Sequence, residues 1–203
     1  TRPADKFEID NPEFLCDGRT FTQLSISTTD DTSLQAKALC IYQQLLTLHL
    51  PAEHPYRFAE VNLQRLQFVY QNAVFENKDE LYLEMLKKAA SAQKGKPASS
   101  LYNYEIAVLL YQQGNTYQPK TNEEKNRWKS KAALELCEQV IKELPESRGA
   151  EKCIALKTQI LTSSLQLTTE RHVPVNQAAR LLVTYKNYDG LRLSARRITE
   201  QQW

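Results

Sequence analysis

The hydrophobic period of this chain changes near Thr162, and this change limits the possible folds more than any other feature. Before it, apolar residues recur every three or four positions, as on the buried face of an α-helix; after it, they alternate with polar residues, as in a β-strand. The chain has 203 residues, which is enough for one large domain, or for one domain plus a fragment. We therefore expect a mainly α fold of α-solenoid-like helical hairpins, followed by a short antiparallel β segment.

The helical domain is predicted to span residues 30–163, after an extended lead-in over residues 1–29 with a candidate strand at 20–26. Prolines, glycines and capping residues mark the helix ends. The first helix is predicted to end at Pro51. Its expected buried face consists of Leu34, Ala38, Ile41, Leu45 and Leu48. The expected buried face of a later helix consists of Trp128, Ala132, Leu136, Val140 and Leu144.

Residues 164–203 are predicted to be the first strands of a β-rich domain. Three runs alternate apolar and polar residues, at 165–170, 181–186 and 191–196. The turn sequence Asn187-Tyr188-Asp189-Gly190 predicts a hairpin between the last two runs. Because three isolated strands leave edges unpaired and a face uncovered, we expect them to pack on the helical body or to be completed by further sequence.

Charge and composition argue against nucleic acid and membrane partners. The chain has 26 Lys and Arg against 24 Asp and Glu, so its net charge of +2 produces no strong electrostatic field. No apolar run approaches the roughly 18 residues that a spanning helix requires. The first residues lack the apolar segment of a signal peptide, so we expect any export signal to have been removed.

The inventory of catalytic residues predicts no enzyme, no metal site and no cofactor. His49 and His54 have the best spacing for zinc, but Pro51 breaks the helix that such a pair needs. The five glycines are scattered singly, so no phosphate-binding loop is expected. Cys137 and Cys153 lie on neighbouring predicted helices, and they could form a disulfide in an exported protein or remain buried free thiols.

One helical pair resembles a tetratricopeptide repeat, with small residues where the two helices cross. The matching positions are Ile106, Ala107 and Leu110 on the first helix, Ala133, Cys137 and Val140 on the second, and Pro145 after it. The loop between these helices is about fourteen residues longer than the repeat allows. For a groove-binding function, the candidate protein-binding residues are Leu101, Tyr104, Val108 and Tyr111, and a core role for the same four residues is the alternative.

Most of the chain also resembles the amino-terminal region of bacterial alpha-2-macroglobulin-family proteins of the Bacteroides type. The segments that carry this resemblance are residues 42–46 (YQQLL), 63–66 (LQRL), 144–150 (LPESRGA), 153–156 (CIAL), 165–167 (LQL) and 182–187 (LVTYKN). In that family a helical domain precedes the first macroglobulin-like β-sandwich. The resemblance implies a large exported protein, in the periplasm or on the bacterial cell surface, that entraps proteases.

Two functions follow from these resemblances. The first is a non-catalytic structural or interaction domain at the amino end of a macroglobulin-like protease inhibitor. The second is a free-standing adaptor that binds a peptide or protein in a helical groove. The family's thioester pattern is not matched by Cys137-Glu138-Gln139 or by any other Cys of this chain, so no inhibitory chemistry is assigned to these residues.

Overall fold

The computed structural model describes residues 6–50, 55–118, 124–173, 177–194 and 196, and the chain divides into two compact units between Lys157 and Thr158. The first unit is helical, and the second contains a two-stranded antiparallel sheet. The predicted fold class, mainly α with a short antiparallel β segment, is confirmed. The predicted domain boundary between residues 163 and 164 stays a prediction.

The helices in chain order are α1 (Gly18–Phe21), α2 (Leu34–His49), α3 (Pro55–Asn72), α4 (Lys78–Ala92), α5 (Pro97–Asn115), α6 (Lys129–Glu143) and α7 (Arg148–Leu161). Short 3-10 turns occur at Pro12–Leu15 and Glu124–Asn126. Proline begins both α3 and α5, because the first turn of a helix leaves its N–H groups unbonded and proline lacks one. Ser33 caps α2, and its hydroxyl accepts a hydrogen bond of 3.2 Å from the Ala36 N–H.

The lead-in forms helical turns, and the expected strand at residues 20–26 is wrong. Asp17 caps α1, where its carboxylate accepts hydrogen bonds from the N–H groups of Arg19 (3.0 Å) and Thr20 (3.1 Å). Such short polar side chains bond to the local backbone, and this favours a helical turn over a strand. Phe14 and Phe21 are buried in the core, so this segment is part of the helical unit.

The buried face of α2 is not the predicted one. Leu39 and Leu46 are fully buried, whereas Leu34, Ile41 and Leu48 are 80%, 55% and 70% exposed. Apolar residues occur on both sides of α2, so periodicity alone does not identify the inner side. The packing is fixed at longer range, because the Gln43 amide donates hydrogen bonds to the carbonyl oxygens of residues 21 (2.9 Å) and 24 (2.7 Å) in the lead-in.

The buried face of α6 also differs from the prediction. Its buried residues are Ala133, Cys137 and Val140, which are the positions of the tetratricopeptide-like alignment, while Trp128 is exposed and Leu136 is half-buried. Small side chains on this face let α5 and α6 approach closely. A Cβ atom on Gly114 of α5 would lie 2.7 Å from the backbone nitrogen of Ser130, so only glycine fits there.

The sheet consists of β1 (Ser164–Thr169) and β2 (Leu181–Lys186), which pair antiparallel with Leu165 opposite Tyr185 and Leu167 opposite Val183. The predicted hairpin at residues 187–190 is wrong, because residues 191–194 form no strand; Ala195, the last apolar position of that run, lies outside the described residues.

Asn187 explains why the chain does not turn back into a hairpin after β2. Asn187 has a positive φ of 56°. Its amide donates hydrogen bonds to the carbonyl oxygens of Ile160 (2.8 Å) and Thr162 (3.2 Å), and its own carbonyl accepts one from the Ser163 hydroxyl (2.9 Å). These bonds hold the end of β2 beside the segment that precedes β1.

Candidate functional site

The four predicted protein-binding residues lie on α5, but they do not form one open surface. Leu101 is buried in the hydrophobic core, so its assignment as a surface anchor is wrong. Tyr104, Val108 and Tyr111 are half-buried. The Lys152 ammonium of α7 lies 5.4 Å from the centre of the Tyr104 ring, which places α7 beside this face. A protein-binding role for these three residues stays a prediction.

The start of α7 packs directly on the start of α5. A Cβ atom on Gly149 would collide with the backbone carbonyl and the hydroxyl of Ser100, which is itself fully buried. The tight turn before α7 is closed by Ser147, whose hydroxyl donates to the Leu144 carbonyl (2.7 Å) and accepts from the Ala150 N–H (3.2 Å). A groove on this side of α5 is therefore partly filled by α7.

A buried arginine joins the lead-in to α3. The Arg65 guanidinium donates hydrogen bonds to the carbonyl oxygens of Phe14 (2.7 Å) and Cys16 (2.8 Å) and to the side-chain oxygen of Asn62 (2.5 Å). It also lies 4.5 Å from the centre of the Phe21 ring. Burial lowers the pKa of Arg65 to about 10, so it remains charged at neutral pH.

A cavity of about 270 Å³ lies close to this arginine, between the lead-in and helices α3, α4 and α5. Its polar lining groups bond to one another: the Asn62 amide donates to the Tyr102 hydroxyl (3.1 Å), which donates to the Ala59 carbonyl (3.1 Å). Phe58 and Met85 supply apolar lining. Gln93 also lines the cavity, and its side-chain oxygen is buried without a hydrogen-bond partner among the described residues.

Helices α3, α4 and α5 meet at a second polar cluster. The Tyr82 hydroxyl donates to one carboxylate oxygen of Glu105 (2.8 Å), and the Gln67 amide donates to the other (2.7 Å). Tyr70 stacks on Tyr82 with ring centres 4.3 Å apart. Burial raises the pKa of Tyr82 far above its usual value, and the Glu105 carboxylate raises it further.

Sequence reasoning did not single out Arg65 or Glu105. Each is a charged residue next to apolar residues of a predicted helix, and this is the only feature of the sequence that distinguishes them. A charged residue beside a buried stripe is usually solvated, so the pattern alone could not identify Arg65 as buried or Glu105 as half-buried.

Of the two histidines with the best spacing for zinc, His49 lies at the end of α2. The other, His54, lies outside the described residues, and so does Pro51 between them. Among the described residues, no three or more His, Cys, Asp or Glu side chains are grouped so that they could hold a metal ion. Within the same part of the chain, every helix is too short or too polar to cross a membrane.

The most unusual surface of the second unit is one face of its sheet. Directly opposed residues of antiparallel strands point to the same face, so Leu165, Leu167, Val183 and Tyr185 share one side. Leu165, Leu167 and Tyr185 are about half exposed, at 47%, 53% and 57%. Apart from Leu182, the opposite face is polar; it carries Ser164, Gln166, Thr168, Leu182, Thr184 and Lys186. The sheet therefore has one apolar face that is largely uncovered.

Comparison with known proteins gave no matching family model and no significant match among curated proteins or solved structures. The functional argument therefore depends on the geometry of the two units and on the resemblances seen in the sequence.

Proposed function

We propose that the chain is a non-catalytic structural and interaction module at the amino end of a large exported protein of the alpha-2-macroglobulin type, which traps proteases. The helical unit is a spacer or docking domain, and β1 and β2 are the first strands of a macroglobulin-like β-sandwich. The partners are downstream domains of the same protein and, through the full-length protein, proteases. The proposed location is the periplasm or the cell surface.

The uncovered apolar face of the sheet is the observation that carries this proposal. In a β-sandwich, each sheet alternates inward apolar and outward polar residues, and a second sheet covers the apolar side at a distance of about 10 Å. The residue pairs Leu165–Tyr185 and Leu167–Val183 have this alternation. A second sheet packed on them would remove the exposed apolar surface.

The edges of the sheet support the same proposal. Among the described residues, β1 and β2 each pair with only one strand, so each has a free edge with unpaired backbone groups. A two-stranded sheet by itself is marginally stable in water. Additional strands would pair these edges and extend the sheet.

The reading frame beyond Trp203 tests the proposal most simply. A continuation of more than about a thousand residues, rich in segments that alternate apolar and polar residues, is the expected result. A stop codon shortly after Trp203 would contradict the proposal.

A matched pair of substitutions in the complete protein tests the sandwich itself. Leu167→Lys places a charge on the apolar face, and we expect it to lower the melting temperature or abolish secretion, because a buried unpaired charge is costly. Gln166→Lys, on the polar face of the same strand, is the control and should have little effect. Equal tolerance of both substitutions would show that no second sheet covers the apolar face.

The alternative function is a free-standing tetratricopeptide-like adaptor. The half-buried residues Tyr104, Val108 and Tyr111 favour it, because tyrosine rings offer a large contact area with few rotatable bonds. A stop codon shortly after Trp203, together with loss of a protein partner on Tyr104→Ala, would favour the adaptor over the macroglobulin-type module.

A further inference from the structure

Two buried cysteines of the helical unit lie on neighbouring helices. Cys137 lies on α6 and Cys153 on α7, and both side chains are fully buried. The two thiols interact, and this interaction lowers the pKa of Cys137 and raises the pKa of Cys153. All four cysteines of the chain are unpaired thiols in the structure, and Cys16 and Cys40 lie in other elements, the lead-in and α2.

Two contacts near the cysteines join α6 to α7. The Lys157 ammonium of α7 lies 2.7 Å from a carboxylate oxygen of Glu138 on α6, next to Cys137 in sequence. At the other end, the turn that joins the helices is closed by a hydrogen bond of 3.0 Å from the Ser147 N–H to the Leu144 carbonyl. These two contacts therefore hold α6 and α7 next to each other.

We propose that Cys137 and Cys153 are a disulfide-forming pair that cross-links α6 to α7 when the chain meets a low-molecular-weight disulfide such as oxidised glutathione. The inference rests on the burial of both thiols on two helices that the Glu138–Lys157 ion pair joins, and it is independent of the proposed function. A bond between these helices closes a short loop, which restricts the unfolded chain and stabilises the folded unit.

The chemistry is thiol–disulfide exchange in two steps. The thiolate of one cysteine attacks one sulfur of the reagent, breaks its S–S bond and expels one thiolate, which leaves a mixed disulfide on that cysteine. The thiolate of the other cysteine then attacks the protein sulfur of this mixed disulfide and expels the second reagent thiolate. The two protein thiols lose two electrons and two protons, and the reagent becomes two thiols.

Both sulfurs are fully buried in the docked helices, so exchange takes place before α6 and α7 pack, and the finished bond is shielded from reductants. Because the helices are not yet docked when the reagent arrives, either thiolate can attack it first.

The test is refolding of the whole chain from denaturant in a mixture of reduced and oxidised glutathione, followed by alkylation of remaining thiols and tryptic mapping without reduction. The four cysteines fall in different tryptic peptides. We expect the peptide of residues 132–142 to be linked to that of residues 153–157. We also expect addition of a reductant to the unfolding assay to lower the melting temperature of the oxidised protein by several degrees.

The double variant Cys16→Ser, Cys40→Ser is the control, since it removes competing disulfides and keeps the proposed pair. It should form the same linked peptide, and Cys137→Ala should not. The proposal is overturned if the refolded control variant, with native circular dichroism, carries alkyl groups on both Cys137 and Cys153.

Discussion

Two tyrosine hydroxyls in the helical unit are buried in different environments. The Tyr82 hydroxyl donates to the Glu105 carboxylate, whereas the Tyr56 hydroxyl has no hydrogen-bond partner among the described residues. A hydrogen bond to a charged group contributes about 1.5–3 kcal/mol, and a buried hydroxyl without a partner carries a desolvation cost. The same chemical change should therefore have opposite consequences at the two positions.

We expect Tyr82→Phe to lower the free energy of unfolding by about 2 kcal/mol, because it leaves a Glu105 carboxylate oxygen without its donor. Tyr56→Phe, the matched control, should leave stability unchanged or raise it slightly. Urea denaturation followed by circular dichroism measures both. Equal losses for the two variants would contradict the role given to the Tyr82–Glu105 hydrogen bond.

The stability that the helical unit loses at low pH should depend in part on Asp30. The Thr32 hydroxyl (2.6 Å) and the Thr32 N–H (3.0 Å) both donate to one Asp30 carboxylate oxygen and hold its pKa below the usual value of 3.8. A carboxyl group whose pKa is lower in the folded state than in the unfolded state stabilises the fold at any pH above its unfolded-state pKa. This stabilisation is lost as the pH falls through the folded-state pKa.

Asp30→Asn keeps an acceptor oxygen but cannot titrate, so its melting temperature should fall less than that of the wild type between about pH 5 and pH 2. Asp31→Asn, at the exposed neighbouring position, should follow the wild type. Identical acid profiles for the wild type and Asp30→Asn would show that the Asp30–Thr32 contact does not stabilise the folded state.

At the scale of elements, the orientation of α2 is the clearest difference between prediction and structure. Leu39 and Leu46 lie inside, and Ile41 and Leu48 lie outside. We expect Leu39→Asp to unfold the helical unit, since it buries an unpaired carboxylate, and Ile41→Asp to be tolerated. Thermal melts of the two variants decide the point, and the reverse outcome would restore the face predicted from the sequence.

The close contact between α5 and α7 provides a second test at this scale. Gly149→Ala forces a Cβ atom into the Ser100 backbone, so we expect a loss of about 1–3 kcal/mol. Gly190→Ala is the control, because no atom lies within 4 Å of the added Cβ. If Gly149→Ala unfolds at the wild-type urea concentration, the two helices do not pack as described.

The sequence predicts the elements better than their packing. The positions of α3 to α7 follow from proline, glycine and periodicity, which act within one turn of helix. The inner face of α2 depends on Gln43 bonding to the lead-in, and the end of β2 depends on Asn187 bonding to residues 160 and 162. These contacts join residues about 20 to 30 positions apart, so no local pattern contains them.

The candidate site was harder to predict for the same reason. The sequence predicts that Leu101, Tyr104, Val108 and Tyr111 share one helix, and all four lie on α5. However, the burial of Leu101 in the core and the position of α7 beside Tyr104 depend on how the helices pack together. The apolar face of the sheet was visible as alternation, because strand geometry alone assigns its members to one side.

At the scale of the whole molecule, the two units differ in how well each covers its own apolar residues. The helical unit buries a connected core that runs from Ile9 to Leu109. The sheet leaves apolar side chains of both strands about half exposed. The central claim is therefore that the helical unit folds by itself, while the sheet is the start of a larger β structure.

Hydrogen exchange measured by mass spectrometry on two chains tests this claim most directly. The first chain is the full 203 residues, and the second lacks residues 164–203. We expect slow-exchanging amides in α2, α3, α4, α5 and α6 of both chains, and fast exchange throughout β1 and β2 in the full chain, because a two-stranded sheet has little stability of its own. Loss of slow exchange throughout these helices after the deletion would show that the strands belong to one domain with the helices, and would contradict the account.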